Sequence, residues 1–413
     1  MSHVLVLSPA SSGDLLASAA KAAGHHVTVA LPPHPQGRPS PSEALADAVL
    51  RVDPRDDDAL LAAVLPLHRE RPVDAVVPGF EYDVPAAAML ARRLGLPGLP
   101  VGAARRLRYK HLMREALDRA GVTSAAHRVV DTSRDDWRTE VESAVRELSP
   151  PCVVKPVNLG GSVLVRLARS VDDAMAAVAA IAAASPDAFG LTPLPLALIE
   201  EYVEGPEYSV EGYLTPQGPS IVSVTRKLLG PEPYFVERGH VVGAVPDAAL
   251  DAAVGAYTER VISALGLTTG VFHGEVRITG RGPVLMEMGA RLPGDRICKL
   301  ISLAHGVDLA QVFVDCLLGE TVAPHPVDAA PRRAAGIRFL LRPGLGTYTA
   351  VTGLDDARGL DGHVESALAH APGTPIPQAS DFSARLGWFI FTAPDSHALE
   401  AVLDKADHMV VFS

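Results

Sequence analysis

Cysteine is scarce in this chain. Cys152, Cys298 and Cys316 stand alone, an odd number with no C-x-x-C spacing. That excludes a disulfide framework and a cysteine-built zinc site, and it points to a reducing compartment. Basic residues are also in deficit, since 37 Lys and Arg against 48 Asp and Glu leave a net charge of −11. A broad nucleic-acid or anionic-membrane surface needs clustered Lys and Arg, so neither partner is expected; a local basic pocket for a nucleotide remains compatible with the total. Long apolar runs are missing too. The Ala-rich stretches are interrupted too often to span a bilayer, and the first residues lack the basic and apolar regions of a signal peptide. The expectation is a cytoplasmic protein. A last absence concerns glycine. The opening reads βαβ (Val4 to Leu7, a helix from Asp14 to Ala23, Val27 to Leu31), yet the fingerprint G-x-G-x-x-G is not there and only Gly13 stands in the first turn. The doubly wound fold is retained, and a nicotinamide oxidoreductase is disfavoured.

What is present suffices for a large core: 413 residues, 48% hydrophobic and 21% charged, or roughly two to four lobes. Asp74 to Gly79 reads as a strand with its exit turn, and Glu81 to Leu94 as a helix stopped by Gly95, Pro97 and Gly98. Glu81 falls at the carboxyl end of a strand, where open sheets bind ligands, although an acid at a helix start is favourable in itself. A composition break at 96–100 ends the first domain. One helix is expected from Ala103 to Ala120, carrying Lys110, then a strand at 127–130, a helix at 134–148 and a strand at 152–155. Gly160-Gly161-Ser162 follows, a turn whose amides can face phosphate oxygens, leading into a strand at 163–165. A helix from Val171 to Ala184 and a loose surface loop from Ser185 to Pro195 come next.

Residues 196–213 read as strand, connector, strand, and 221–227 as a strand ending in the basic pair Arg226-Lys227. A helix is expected at 248–265 and another at 308–318, with 323–331 as a Pro-rich linker. The remainder is β-rich (337–341, 387–391) with a closing helix at 396–405. No internal repeat is visible.

The most unusual stretch is 270–295. Two alternating runs flank Thr279-Gly280-Arg281-Gly282-Pro283, which reads as a hairpin with a five-residue loop. Ile278 then pairs with Val284, Glu275 falls opposite Glu287, and residues 273, 275 and 277 share a face with 285, 287 and 289. Facing carboxylates repel, so a cation between them is the simplest way to tolerate the pair. Oxygen ligands without cysteine favour magnesium or manganese. Arg291, four residues past Glu287, could reach an anion held by that metal. The alternative is a solvent-facing hairpin with two unrelated acids.

Taken in order, Lys110, Lys155 with its Gly-rich loop, the 200–203 connector, Glu207, Glu275, Glu287 and Arg291 resemble the ATP-grasp superfamily over roughly residues 1–320. Glu237-Arg238-Gly239-His240, His273-Gly274-Glu275 and Glu287-x-x-x-Arg291-x-x-Gly294 are similar to the L-amino acid ligases. Gly289 stands where biotin carboxylases usually carry Asn, which disfavours that branch and removes one possible metal ligand. The resemblance implies an α/β ATP-grasp fold: a doubly wound parallel-sheet domain (1–98), a small lobe with a Gly-rich lid (99–197), a large lobe (198–325) and a β-rich C-terminal subdomain (326–413).

The implied activity is ligation of a carboxylate to an amine, with ATP and Mg2+ (or Mn2+) as cofactors and ADP and phosphate as coproducts. The partners are then small carboxylate and amine substrates, with a homodimer also allowed. Lys110 and Lys155 would bind phosphates, and Gly160, Gly161 and Ser162 would form the lid. Glu200 through its backbone and the Val203 amide would meet adenine, with Glu201 also at the nucleotide, and Glu207 would hold the ribose. Glu275 and Glu287 would ligate metal. Arg291, His240 and the Gly294 amide would serve the transferred phosphate and the oxyanion. Glu81, Arg226, Lys227, His273 and Arg277 are candidates for the substrate, and Arg277 could equally neutralise the acid pair. Two other readings change the outcome: an acceptor that is a carrier-protein thiol or a non-amino-acid amine, or a nucleotide-binding regulator without chemistry.

Overall fold

The structure, a computed structural model, describes residues 1–33, 40–187, 189–230, 232–243, 248–326 and 331–413. The Val-rich runs near the N-terminus form a four-stranded parallel sheet in the order Ala48–Arg51, His26–Leu31, His3–Leu7, Ala75–Pro78. His3–Leu7 is buried along its whole length, as a strand covered by helices on both faces must be. The chain leaves this strand first to one side and later to the other, so a crevice opens beyond the carboxyl ends of His3–Leu7 and Ala75–Pro78. The two exit turns touch there. A Cβ on Gly13 would lie 1.7 Å from the Gly79 carbonyl oxygen, so only glycine fits at this crossing.

An eight-stranded antiparallel sheet forms the centre, in the order Gly282–Gly289, Val271–Thr279, Glu207–Thr215, Gly218–Leu229, Glu237–Val242, Ala334–Leu340, Gly387–Ala393, His363–Leu368. The β-rich C-terminal segment therefore extends this sheet. Helices Ile297–His305 and Leu309–Leu317 pack between it and the first sheet in one continuous core. Ala248–Leu265 covers the other side together with Val101–Arg108 and Lys110–Arg119. A smaller antiparallel sheet, His127–Asp131, Leu196–Glu201, Cys152–Pro156, Arg166–Ala168, has its own core with helices Trp137–Leu148 and Val171–Ala182. Its second strand runs past residue 197, and helices 101–119 pack with the large lobe.

Two expected elements differ. The single helix at 103–120 breaks at Tyr109, which is extended (φ −108, ψ 115). The Lys110 N–H donates to the Val157 carbonyl across the cleft at 2.9 Å instead of to its own helix. Residues 163–165 are a turn with the strand displaced to Arg166–Ala168. Ser162 and Leu164 both have φ of 60, which no strand accommodates. Of the expected linker, 327–330 lie outside the described residues. Asp57–Glu70 and Ile297–His305 are helices that the sequence pattern left unmarked.

Asp83, just past the Ala75–Pro78 strand, is 2% exposed, and its Oδ2 has no hydrogen-bond partner among the described residues. Burial pushes its carboxyl up to about 7 despite the nearby Arg55 charge. The folded state then holds a proton that the unfolded chain has released, so this group's contribution falls as pH rises from about 4 to about 7. Asp83→Asn is expected to gain on the wild type across that window, by on the order of 1–4 kcal/mol at pH 8. Urea unfolding at pH 5 and pH 8 measures it; an equal difference at both values would contradict the shift.

Candidate active site

The hairpin closes on a two-residue turn, Gly280-Arg281, because Thr279 pairs with Gly282 and Ile278 with Pro283. The expected five-residue loop is not formed. A register shift between Glu275 and Val276 compensates, inserting Met286, so Glu275 still opposes Glu287. Beyond the bulge the faces exchange. Leu285, expected beside Glu287, instead lies in the core with Val276. The bulge itself is held by Arg114, whose Nη2 donates to the Met286 carbonyl at 2.9 Å.

Each opposing acid has its own lysine. Lys110, first residue of its helix, donates from Nζ to Glu287 Oε1 at 2.9 Å and to the Leu159 carbonyl at 2.8 Å. Lys227 Nζ reaches Glu275 at 2.9 Å, Glu207 at 2.6 Å and Glu237 at 3.7 Å. Burial raises the Glu287 carboxyl, and Glu81 and Glu275 add to that against the pull of Lys110. Glu275 goes the other way, held well below the usual range by Lys227 and His273 in spite of burial. Neighbouring environments thus drive two facing carboxylates apart.

These groups line a cavity of about 140 Å³ that also takes in Lys155, Gly160, Gly161, Ser162, Glu201 and Val203. Lys155 and Arg114 close on the buried Glu200, at 2.5 Å and 2.6 Å. Burial opposes ionisation there, yet the two cations bring Glu200 to about 2. Arg277 donates from Nε to Glu207 at 2.9 Å and from Nη1 to the Val203 carbonyl at 2.7 Å. Of its two expected roles, it neutralises an acid, but that acid is Glu207. Glu201 pairs with Arg281 and accepts from the Ala126 N–H at 3.0 Å. Arg226 is not brought to the site. Alternation along its strand turns it away from Lys227, and it pairs with Glu400 at 2.5 Å.

A second cavity of about 250 Å³ adjoins the first at the crevice of the N-terminal sheet, sharing Glu81, Glu275 and Arg291 and adding His240, His273 and Gly294. Arg291 Nη2 and Nε meet Glu81 Oε2 at 2.9 Å and 3.0 Å. Burial alone would raise Glu81, but Arg291, Arg108 and Lys110 bring it to about 2. His240 Nε2 faces Asp295 Oδ2 at 2.9 Å, and Asp295 accepts from Arg385 at 2.7 Å. His273 contacts Glu211 at 2.9 Å and Glu275 at 3.5 Å; those acids raise its pKa against burial. Arg108, Arg114, Glu211, Asp295 and Arg385 escaped the sequence reading. Arg114 had a signal, one helical turn after Lys110, and so did Glu211, on the same strand face as Glu207.

Three family models match the chain in order: an ATP-grasp N-terminal domain over residues 17–98, an ATP-grasp domain over 148–300, and an L-amino acid ligase C-terminal domain 2 over 338–413. The chain thus carries an ATP-grasp N-terminal domain and an ATP-grasp domain, followed by an L-amino acid ligase C-terminal domain. It is 28% identical over 370 residues to protein y4rH of Sinorhizobium fredii, covering 88% of this chain and 73% of that one. To the alanine–anticapsin ligase of Bacillus subtilis it is 28% identical over 266 residues, covering 59% and 54%. The chain thus spans about half the length of that ligase. The crystal structure of L-amino acid ligase from Bacillus licheniformis superposes with a TM-score of 0.82 over 100% of this chain and 98% of that one, at 20% identity, a likeness of fold.

Proposed function

We propose that the protein joins the carboxylate of one amino acid to the amine of another through an acyl phosphate, with ATP as phosphoryl donor. The observation that carries this reading is the pair of adjoining cavities. One is ringed by Lys110, Lys155 and the opposed Glu275 and Glu287; the other opens beyond Glu81 and Arg291. Oxide is a poor leaving group, so a carboxylate must be activated before an amine can displace it. Its oxygen takes the γ-phosphoryl group as the bond to the β-phosphate oxygen breaks, releasing ADP. That step needs positioning and charge neutralisation more than covalent help. The amine then attacks the acyl carbon, the C–O bond to phosphate breaks, and the nitrogen loses a proton.

In this reading Lys110 and Lys155 hold phosphate oxygens, and Gly160, Gly161 and Ser162 exclude water that would hydrolyse the acyl phosphate. Val203 and the Glu201 carbonyl meet adenine. The Ala126 N–H, which would otherwise occupy that carbonyl, donates to the Glu201 carboxylate instead. Glu207 faces the ribose. Arg291 and the Gly294 amide are suited to the tetrahedral oxyanion, with His240 beside them. Among the described residues no group of three or more His, Cys, Asp and Glu could hold a metal by itself. Two facing carboxylates still fit Mg2+, which takes its remaining oxygens from phosphate and water; Glu275 and Glu287 would hold it, and it would neutralise phosphate charge. We also place the protein in the cytoplasm. All three cysteines are free and buried, and among the described residues no single helix is long and apolar enough to cross a membrane.

The test is ADP release with ATP, Mg2+ and a panel of amino-acid pairs. Turnover is expected only when an amine acceptor is present, and hydroxylamine is expected to trap the acyl phosphate as a hydroxamate. A folded protein that binds ATP but shows neither across the panel would overturn the reading.

A further inference from the structure

The segment read from sequence as a loose surface loop, 185–195, is tied at both ends. Asn158, at the head of the Gly-rich loop, is 2% exposed. Its Nδ2 donates to the Thr192 carbonyl at 3.2 Å and its Oδ1 accepts from the Leu194 N–H at 3.0 Å. Asp187 Oδ1 accepts from the N–H groups of Phe189 and Leu191, both at 2.9 Å, which gives the segment its own shape.

The far end docks on the N-terminal domain. The Tyr82 hydroxyl donates to Asp187 Oδ2 at 2.6 Å, and Arg55 Nη1 donates to the Phe189 carbonyl at 3.1 Å. The Phe189 ring lies 4.5 Å from Phe80. Arg108 closes the circuit. Its guanidinium stacks 4.4 Å from the Tyr82 ring centre, its Nη2 donates to the Asn158 carbonyl, and its Nη1 lies 3.6 Å from Glu81. Phe80, Tyr82, Asp187 and Phe189 all line the second cavity. Phe189 nevertheless keeps 42% of its surface exposed, so its ring is a solvent-facing wall of that cavity and belongs to none of the described cores.

We propose that 189–194, anchored through Asp187 on Tyr82, is a strap over the substrate cavity that moves together with the Gly-rich lid, and that Phe189 selects an apolar side chain on the substrate held there. This rests on the ligase reading above. Asn158 makes lid and strap one body, so the nucleotide lid seals fully only when the strap is seated. A substrate too small to support Phe189, or too large to pass beneath it, leaves the acyl phosphate open to water.

The test uses the full chain and two variants. Phe189→Ala is expected to shift kcat/KM between large and small apolar amino acids by about tenfold in favour of the large. Tyr82→Phe keeps the ring and loses the anchor; it is expected to release at least twice as much ADP per amide formed while KM for ATP stays unchanged. Equal loss for every amino acid, with the ADP-to-amide ratio of the wild type, would show a merely structural segment and overturn the proposal. Hydrogen–deuterium exchange separates this outcome from failure of the ligase reading, since it needs no turnover. In Tyr82→Phe the peptides covering 156–162 and 189–194 are expected to lose protection together; loosening of 189–194 alone would overturn the coupling.

Discussion

Replacing Glu287 by glutamine is expected to lower amine-dependent ADP release by about a thousandfold or more, while the fold and its melting temperature stay close to wild type. Burial and the nearby Glu81 and Glu275 already raise the Glu287 carboxyl. The folded protein therefore carries that negative charge at a disadvantage, and an isosteric neutral amide costs it little. Lys110 keeps its second acceptor, the Leu159 carbonyl at 2.8 Å. The proposed phosphoryl-transfer site, by contrast, loses one of its two facing carboxylates. Steady-state ADP release beside thermal unfolding reads both sides of this expectation. A folded Glu287→Gln enzyme with ordinary turnover would remove Glu287 from any metal-binding role.

The site was legible wherever its chemistry follows local periodicity. Opposition of Glu275 and Glu287 came out correctly through two errors that cancel: the turn is shorter than expected, and a bulge at Met286 restores the register. Thr279-Gly280-Arg281-Gly282-Pro283 permits several turn lengths, and a bulge held by Arg114 from another element leaves no trace in the hairpin's own sequence. The split helix at Tyr109 was hidden in the same way, because the carbonyl that captures the Lys110 N–H belongs to Val157. Asp295 and Arg385, 90 residues apart, had no pattern to join them. The strap shows the limit most clearly. With Pro186, Gly190, Pro193 and Pro195 its stretch reads as slack chain, whereas its order depends on Tyr82 and Arg55, 105 and 134 residues away from their partners. The N-terminal sheet was read from its buried Val-rich strands, but Ala48–Arg51 is short and mostly half-buried, and it lacks that signal.

The second large effect concerns Lys227, read from sequence as a substrate candidate and found among Glu207, Glu237 and Glu275. Lys227→Met is expected to destabilise the protein by about 3 kcal/mol, toward the low end for breaking a buried ion pair because Glu275 keeps 25% of its side-chain surface. The loss is not shared equally. Glu207 retains Arg277 at 2.9 Å and Glu237 retains Arg385 at 2.9 Å, so Glu275, left with His273 at 3.5 Å, bears most of it. The pH dependence follows from the direction of its shift. In the wild type Glu275 is held below its ordinary value, so it contributes stability above the unfolded carboxylate range that is lost as pH falls. Without Lys227 the carboxyl rises, and acid relieves it by protonation. The deficit of Lys227→Met is thus larger at pH 8 than at pH 5. Adding Glu275→Gln removes the stranded charge, so the double variant is expected to be more stable than Lys227→Met alone. Urea unfolding of the wild type, Lys227→Met, Glu275→Gln and the double variant at the two pH values decides it. A deficit indifferent to both pH and Glu275→Gln would mean that Lys227 acts through its packing and not as the cation that holds these three acids together.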